Sequence, residues 1–357
     1  MDTVSPPGRP KGEYRRAQPE GIQVTTTPLP REVLFDEGDA LPDLPVCDHY
    51  CGVEQRMRKS LELQAQLGPV FDITFDCEDG APVGAEAQHA QMVADIVLSG
   101  DNRFGRVGAR AHPVDHPAFE ADLETLVGRA GDRLAYLMIP KPRSLAEAQR
   151  GIEAVERAAQ RSGRGTTLPV HMLIETHGGL RDVQAIAALP RIQSLSFGLM
   201  DFVSAHRGAI PQTAMGVKGQ FEHPLVVRAK LEIAAACHAA AKVPSHCVVT
   251  EFKDGKALSA AATRAAREFG YTRMWSIHPA QIEPIVEAFA PSTAEVDEAI
   301  DIIGAAQAAG WAPIRHRDTL HDRASYRYFW QVIERARRTG QPLPAEVELH
   351  FFGASAA

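Results

Sequence analysis

The sequence contains no run of about 18 apolar residues, which excludes a membrane-spanning helix. Its opening stretch is charged and has no apolar core of the kind a signal peptide needs, so no secretory leader is expected. It also lacks an even set of paired cysteines. The five present, Cys47, Cys51, Cys77, Cys237 and Cys247, form neither a disulfide framework nor a CxxC zinc pattern. Cys47 and Cys51 are four apart but have no second pair at zinc spacing. Buried free thiols in a reducing cytoplasm are therefore expected. An excess of basic residues is missing too: Lys and Arg number 38 against 45 Asp and Glu, a formal charge of −7. A protein that wraps nucleic acid needs a basic footprint, so nucleic acid is not an expected partner. Finally, Gly178-Gly179 does not belong to a GxGxxG turn. His112 and His116 sit in His-Pro-Val-Asp-His-Pro rather than in HExxH, and His278 has no Ser or Cys partner at recognisable spacing.

What remains is an ordinary globular composition, 45% apolar and 23% charged. Short apolar runs at Val70–Phe75, Leu134–Ile139, Leu168–Ile174, Ile192–Leu199, His246–Thr250 and Arg273–Ile277 read as strands. Between them, Val53–Leu67, Leu145–Arg161, Pro224–Lys242 and Lys256–Phe269 read as amphipathic helices. Several of the strands are apolar on consecutive positions, as parallel strands covered on both faces are. Polar residues break the pattern where strands should end: Asp48, Asp76 with Glu78, Arg110, Lys141, Glu175, Asp201, Glu251 and His278. The steps between them are 28, 34, 31, 34, 26, 50 and 27 residues. A barrel of eight βα units averages about 31 residues per unit. The expected fold is thus α/β, a (β/α)8 TIM barrel. The long step places an insertion at Ser204–Glu222, in the manner of a mobile active-site loop. The chain divides into an extended arm (1–31), the barrel (32–290), a C-terminal helical lid or oligomer arm (291–340) and a tail (341–357) with a short β-like run at Val347–Phe352. Within the C-terminal part, Ser292 and Glu295 form a capping box.

Polar residues at the C-terminal ends of barrel strands converge on one mouth. Here they are Asp76, Glu78, Asp79, Arg110, Lys141, Glu175 and Asp201. Acids outnumber bases, and clustered carboxylates repel unless a cation lies among them. Glu175 and Asp201 close adjacent strands and are the best pair for Mg2+, with Mn2+ also suited to oxygen ligands. The rival is a set of strand-end charges paired with one another. Arg110, held by Glu78 and Asp79, has donors for a substrate oxyanion. Lys141 reads as a substrate or anion contact, an ion-pair partner or a Schiff-base nucleophile.

Six motifs then occur in order: Glu78-Asp79-Gly80, Arg110, Pro140-Lys141, Ile174-Glu175-Thr176, Gly198-Leu199-Met200-Asp201 and Ile277-His278-Pro279-Ala280-Gln281. In this set the chain resembles the citrate lyase β-subunit-like/malyl-CoA lyase family of the HpcH/HpaI aldolase superfamily, over residues from about Leu44 to about Ala336. The resemblance implies a barrel that assembles as a homotrimer or homohexamer. It implies Mg2+ held by Glu175 and Asp201, and Arg110 on the carbonyl oxygen that becomes an enolate. Glu78 and Asp79 would steady that arginine and the waters of the metal. An acid–base Asp from a C-terminal segment is implied too, best matched by Asp322, with Asp318 the nearby rival. The implied reaction is Mg2+-dependent cleavage of a 3-hydroxyacyl-CoA of malyl or citramalyl type. The first strand, Leu44 to Tyr50, stands where relatives carry a Pro-Gly and basic pattern. This keeps open a CoA-independent aldolase acting on a 4-hydroxy-2-oxo acid with pyruvate as one half. A catalytically silent scaffold subunit is the third reading.

Overall fold

The computed structural model describes residues 28–36, 42–162 and 168–353. Most of the arm at 1–31, and the last four residues of the tail at 341–357, lie outside the described residues.

In chain order the elements are α1 (Pro30–Leu34), β1 (Cys47–Cys51), α2 (Glu54–Leu67), β2 (Phe71–Asp76), α3 (Glu86–Leu98), β3 (Val107–Arg110), α4 (Phe119–Ala130), β4 (Leu137–Pro140), α5 (Leu145–Arg161), β5 (Val170–Ile174), α6 (His177–Arg181), α7 (Val183–Ala187), β6 (Ile192–Phe197) and α8 (Leu199–Ser204). There follow α9 (Pro224–Ala239), β7 (Val243–His246), α10 (Gly255–Arg267), β8 (Arg273–Ser276), α11 (Ile282–Phe289), α12 (Thr293–Ala308), β9 (Ile314–His316), β10 (Thr319–His321), α13 (Arg323–Arg338) and α14 (Ala345–Phe352). Strands β1 to β8 are parallel, each pairing with the next, and β8 closes on β1. The chain is a (β/α)8 barrel.

Side chains alternate along each strand, so every second residue faces a surrounding helix and the others fill the barrel. Phe71, Ile73 and Phe75 of β2 and Leu137 and Ile139 of β4 point outward into the main core, all fully buried. Each such side chain contributes about 1.5–3 kcal/mol of burial. The inward residues form layers. At the N-terminal end, Arg273 Nη1 lies 2.7 Å from Asp72 and its Nη2 3.3 Å from Asp48. The Tyr136 hydroxyl donates to Asp48 over 3.0 Å. Above this charged layer sits a cluster of Tyr50, Met138, Leu173 and Trp275. Tyr50 and Trp275 stack with ring centroids 4.0 Å apart. Above that come the polar strand ends.

Three sequence expectations are corrected. Asp48 is the second residue of β1 and fully buried in the charged layer, not at the end of its strand. Its charge interrupts the apolar pattern because Arg273 waits inside the barrel. The seventh strand is Val243–His246 rather than His246–Thr250. Pro244, Ser245 and His246 hide it as a hydrophobic run, and Glu251 lies well beyond its end. The run Val347–Phe352 is helix α14, not β. Pro344 precedes its first turn, which carries Glu346, and Val347 and Phe351, one turn apart, are its buried face.

The insertion after β6 is folded on the barrel. Ile210, Ala214 and Phe221 are buried. Lys230 of α9 donates to Gln220 over 2.8 Å and stands 3.9 Å above the Phe221 ring. Val217 N–H donates to Glu251 over 3.0 Å, which gives that carboxylate its use.

The C-terminal extension is α12 to α14 with the β9–β10 hairpin. Ser292 and Glu295 close the capping box that opens α12. Tyr326, Trp330 and Ile333 of α13, Val347 and Phe351 of α14 and Leu34 of α1 make a second core. Thus α1 spans the boundary drawn at 31/32 and packs with the extension. Arg338 lies 3.7 Å from Asp43, and Trp330, Arg338 and Gly340 share a cleft with Pro45, Val70 and Arg106, which precede β1, β2 and β3. The extension therefore covers the N-terminal end of its own barrel, opposite the mouth, and is no lid over its own site.

Among the described residues, all five cysteines are free and buried, and no helix is long and apolar enough to cross a membrane.

Candidate active site

Asp76 ends β2 and is the pivot of the mouth. Its carboxylate accepts from the main-chain N–H of Glu78 (3.0 Å) and of Gly80 (2.8 Å), which folds the acidic segment back over the strand end. It also faces Arg110, the residue paired with it in strand register. Arg110 donates through Nε over 2.7 Å and through Nη2, a two-pronged grip. Its Nη1 lies 3.1 Å from Glu78. The guanidinium is buried, with its carbon 5.5 Å from the centre of the Tyr50 ring. Burial alone would weaken its hold on the proton; Asp76 more than offsets this. The sequence expectation that Glu78 and Asp79 hold Arg110 is corrected in part. Asp76 is the main holder, Glu78 assists, and Asp79 turns to Lys141.

Lys141 follows β4 directly, with a left-handed backbone at φ 56°. Its ammonium lies 2.6 Å from Glu78, 2.9 Å from Asp79 and 3.5 Å from Asp201. Burial would lower its pKa, but the bonds to Glu78 and Asp79 outweigh it and leave the pKa raised. An amine paired with three carboxylates is favoured in its charged form, which argues against the Schiff-base reading.

Glu175 follows β5 directly and is 2% exposed. Its Oε1 accepts from the Lys141 N–H over 3.1 Å. Gly198 directly follows the neighbouring strand β6 and has to be glycine: a Cβ there would stand 2.1 Å from Glu175 Oε2. Three residues on, Asp201 lies in the first turn of α8, with a half-exposed side chain. Burial, and then the charge of Asp201, push the Glu175 carboxyl well above the usual carboxylate range. Burial likewise raises Glu78 against the pull of Arg110 and Lys141. A divalent cation between Glu175 and Asp201 would remove that penalty, and an all-oxygen donor pair fits a hard ion. Among the described residues no three His, Cys, Asp or Glu converge to hold an ion alone. Such an ion would complete its shell with water and substrate oxygens.

The strand ends thus bring Arg110, Glu78, Asp79, Lys141, Glu175 and Asp201 to one mouth. Asp76, at the same mouth, is the residue whose weight sequence reasoning understated; its register opposite Arg110 is the signal. Asp322 is not brought there. It caps α13, accepting from Ala324 and Ser325 N–H groups over 3.0 and 3.3 Å. Asp318 lies exposed in the β9–β10 turn and pairs with Arg315. His278 caps the turn after β8, accepting from Ala280 N–H over 3.2 Å, and His112 pairs with Asp122 over 2.7 Å.

Residues 70–279 match the model of the HpcH/HpaI aldolase/citrate lyase family. The chain is 28% identical over 281 residues to the L-malyl-CoA/β-methylmalyl-CoA lyase of Cereibacter sphaeroides, covering 74% of this chain and 86% of that one. A crystal structure of a citrate lyase from Burkholderia xenovorans is 55% identical, covers 91% of this chain and 99% of its own, and superposes with a TM-score of 0.79. The CitE protein of Mycobacterium tuberculosis, solved with magnesium, acetoacetate and coenzyme A, shares the fold at 20% identity and a TM-score of 0.63, over 83% of this chain and 98% of that one. Taken with the barrel and its acidic, arginine-bearing mouth, these matches place the chain in the HpcH/HpaI aldolase/citrate lyase family, as a carbon–carbon lyase.

Proposed function

We propose that the protein is a Mg2+-dependent lyase that cleaves a 3-hydroxyacyl-CoA of malyl or citramalyl type into an acyl-CoA and a 2-oxo acid. The observation that carries this reading is the buried Glu175 beside Asp201, facing Arg110 across one mouth. Glu175 and Asp201 would hold the ion, which when bound supplies Lewis acidity toward the oxygens of the oxo-acid half. Arg110, gripped by Asp76 and Glu78, presents its remaining donor capacity to the thioester oxygen. As the carbon–carbon bond breaks, an acid–base group takes the hydroxyl proton, the hydroxyl becomes the carbonyl of the 2-oxo acid, and the electron pair of the broken bond passes to the thioester as an enolate. Arg110 stabilises the enolate oxygen. An acid–base group then returns a proton to the enolate carbon. Asp322 is assigned that role, delivered by a second copy of the chain in a homotrimer or homohexamer, since its own mouth lies at the other end of the barrel. Tyr50 and Trp275 close the floor and exclude water.

A second reading is a CoA-independent aldolase on a 4-hydroxy-2-oxo acid. It is favoured by the end of β1, His49-Tyr50-Cys51, which sets no Lys or Arg at the mouth.

The test offers malyl-CoA, citramalyl-CoA and a free 4-hydroxy-2-oxo acid to the purified protein, with Mg2+ or with EDTA, and traps released glyoxylate or pyruvate. EDTA-sensitive release from a thioester alone is the expected result. Release from the free acid alone moves the protein to the second reading, and release that EDTA leaves intact removes the metal from the scheme.

A further inference from the structure

Lys141 takes no part in the bond-breaking scheme, yet it occupies the centre of the mouth. One residue touches both members of the carboxylate pair: its main-chain N–H reaches Glu175 over 3.1 Å and its ammonium reaches Asp201 over 3.5 Å. The ammonium is anchored from the other side by Glu78 at 2.6 Å and Asp79 at 2.9 Å. Arg110 also acts on Glu175 but is gripped by Asp76 and Glu78, so among the described residues Lys141 is the cation that reaches Asp79, Glu175 and Asp201 together. Its left-handed backbone, between Pro140 and Pro142, is a conformation that costs a non-glycine residue free energy, and such strain persists where the surroundings require it. Here it turns the N–H to Glu175 while the side chain lies along the carboxylates.

We infer that Lys141 is a built-in counter-cation that shares Asp201 with the divalent ion. Without the ion the ammonium neutralises Asp201; when the ion binds, the ammonium yields Asp201 and stays on Glu78 and Asp79. Lys141 is thus a positioning residue that sets metal affinity. It lowers that affinity, because two positive charges a few ångströms apart repel, and in return it keeps the carboxylates aligned before the ion arrives. The inference rests on the reading that Glu175 and Asp201 hold a divalent cation.

The experiment is calorimetric titration of the full chain with MgCl2, without substrate. Lys141→Gly removes the ammonium, keeps the N–H to Glu175 and accepts the left-handed backbone without strain. Lys141→Met is the second neutral variant and Lys141→Arg keeps the charge. Thermal melts establish that each is folded. The expected result is Mg2+ binding about tenfold tighter in both neutral variants, and within about twofold of the unaltered protein in Lys141→Arg. Unchanged or weaker binding in folded Lys141→Gly overturns the inference while leaving the metal reading in place. The Glu175→Gln variant separates the two: if it binds Mg2+ as the unaltered protein does, the metal reading itself fails and the inference falls with it.

Discussion

At the residue scale, the mouth is a problem of too many carboxylates in too little water. Glu175 bears it most acutely, being buried and beside Asp201, with Arg110 and Lys141 the positive charges that act on it. Because its folded pKa lies above its ordinary value near 4.5, the native state binds more protons than the unfolded chain between those two values. Metal-free stability therefore falls as pH rises through that window. Bound Mg2+ needs the ionised form and works against the fall. Denaturation midpoints measured from pH 5 to pH 8 should decline in EDTA and decline less in MgCl2. Glu175→Gln should flatten the EDTA curve and erase the effect of Mg2+. An EDTA curve as steep in Glu175→Gln as in the unaltered protein would assign the slope to another group.

At the scale of elements, α13 joins the extension to the foot of the barrel. Trp330 is buried between the helices, 6.1 Å from the Phe351 ring and 5.1 Å from the Phe352 ring. Trp330→Ala should cost about 3–5 kcal/mol in urea denaturation, as a large aromatic truncated in a packed core does. A loss under about 1 kcal/mol would mean that this second core closes over the gap. The same scale explains what was legible in the sequence. Four of the strand ends, those of β2 to β5, carry charge just where an apolar run stops, because a parallel strand is covered on both sides until it reaches the mouth. Arg110, Lys141 and Glu175 could be found that way. Asp48 gives the same signal for a different reason, its partner Arg273 being more than two hundred residues away in sequence. β7 gives no signal, since Pro244 and His246 are not the residues of an apolar run. The choice of Asp76 over Asp79 as the partner of Arg110 depends on strand register, which only the closed sheet supplies. For α14, alternating Val347, Leu349 and Phe351 satisfy a strand pattern as well as a helix, and Pro344 with a buried i, i+4 pair tips the balance.

At the scale of the whole molecule, the extension and the mouth lie at opposite ends of one barrel. In the proposed scheme, Asp322 would consequently serve a mouth only across a contact between two copies of the chain. If it is the acid–base group, Asp322→Asn and Glu175→Gln should each be inactive alone. Mixed after dissociation and reassembly, they should recover a fraction of the original turnover, since some mouths then combine an intact Glu175 with an intact Asp322. No recovery from a mixture shown by native mass spectrometry to contain both chains would remove Asp322 from the reaction, and activity retained in Asp322→Asn would do so directly.

The stacked Tyr50 and Trp275, with the charged layer of Arg273 beneath them, close the barrel below the mouth. In the proposed reaction, traffic through the mouth would be last in, first out: the oxo-acid half, held toward Glu175, would enter before the bulkier thioester and depart after it. Initial-rate product inhibition in the cleavage direction should show this order, with the 2-oxo acid competitive against the substrate and the acyl-CoA noncompetitive. A random pattern would mean that the two halves pass one another at the rim.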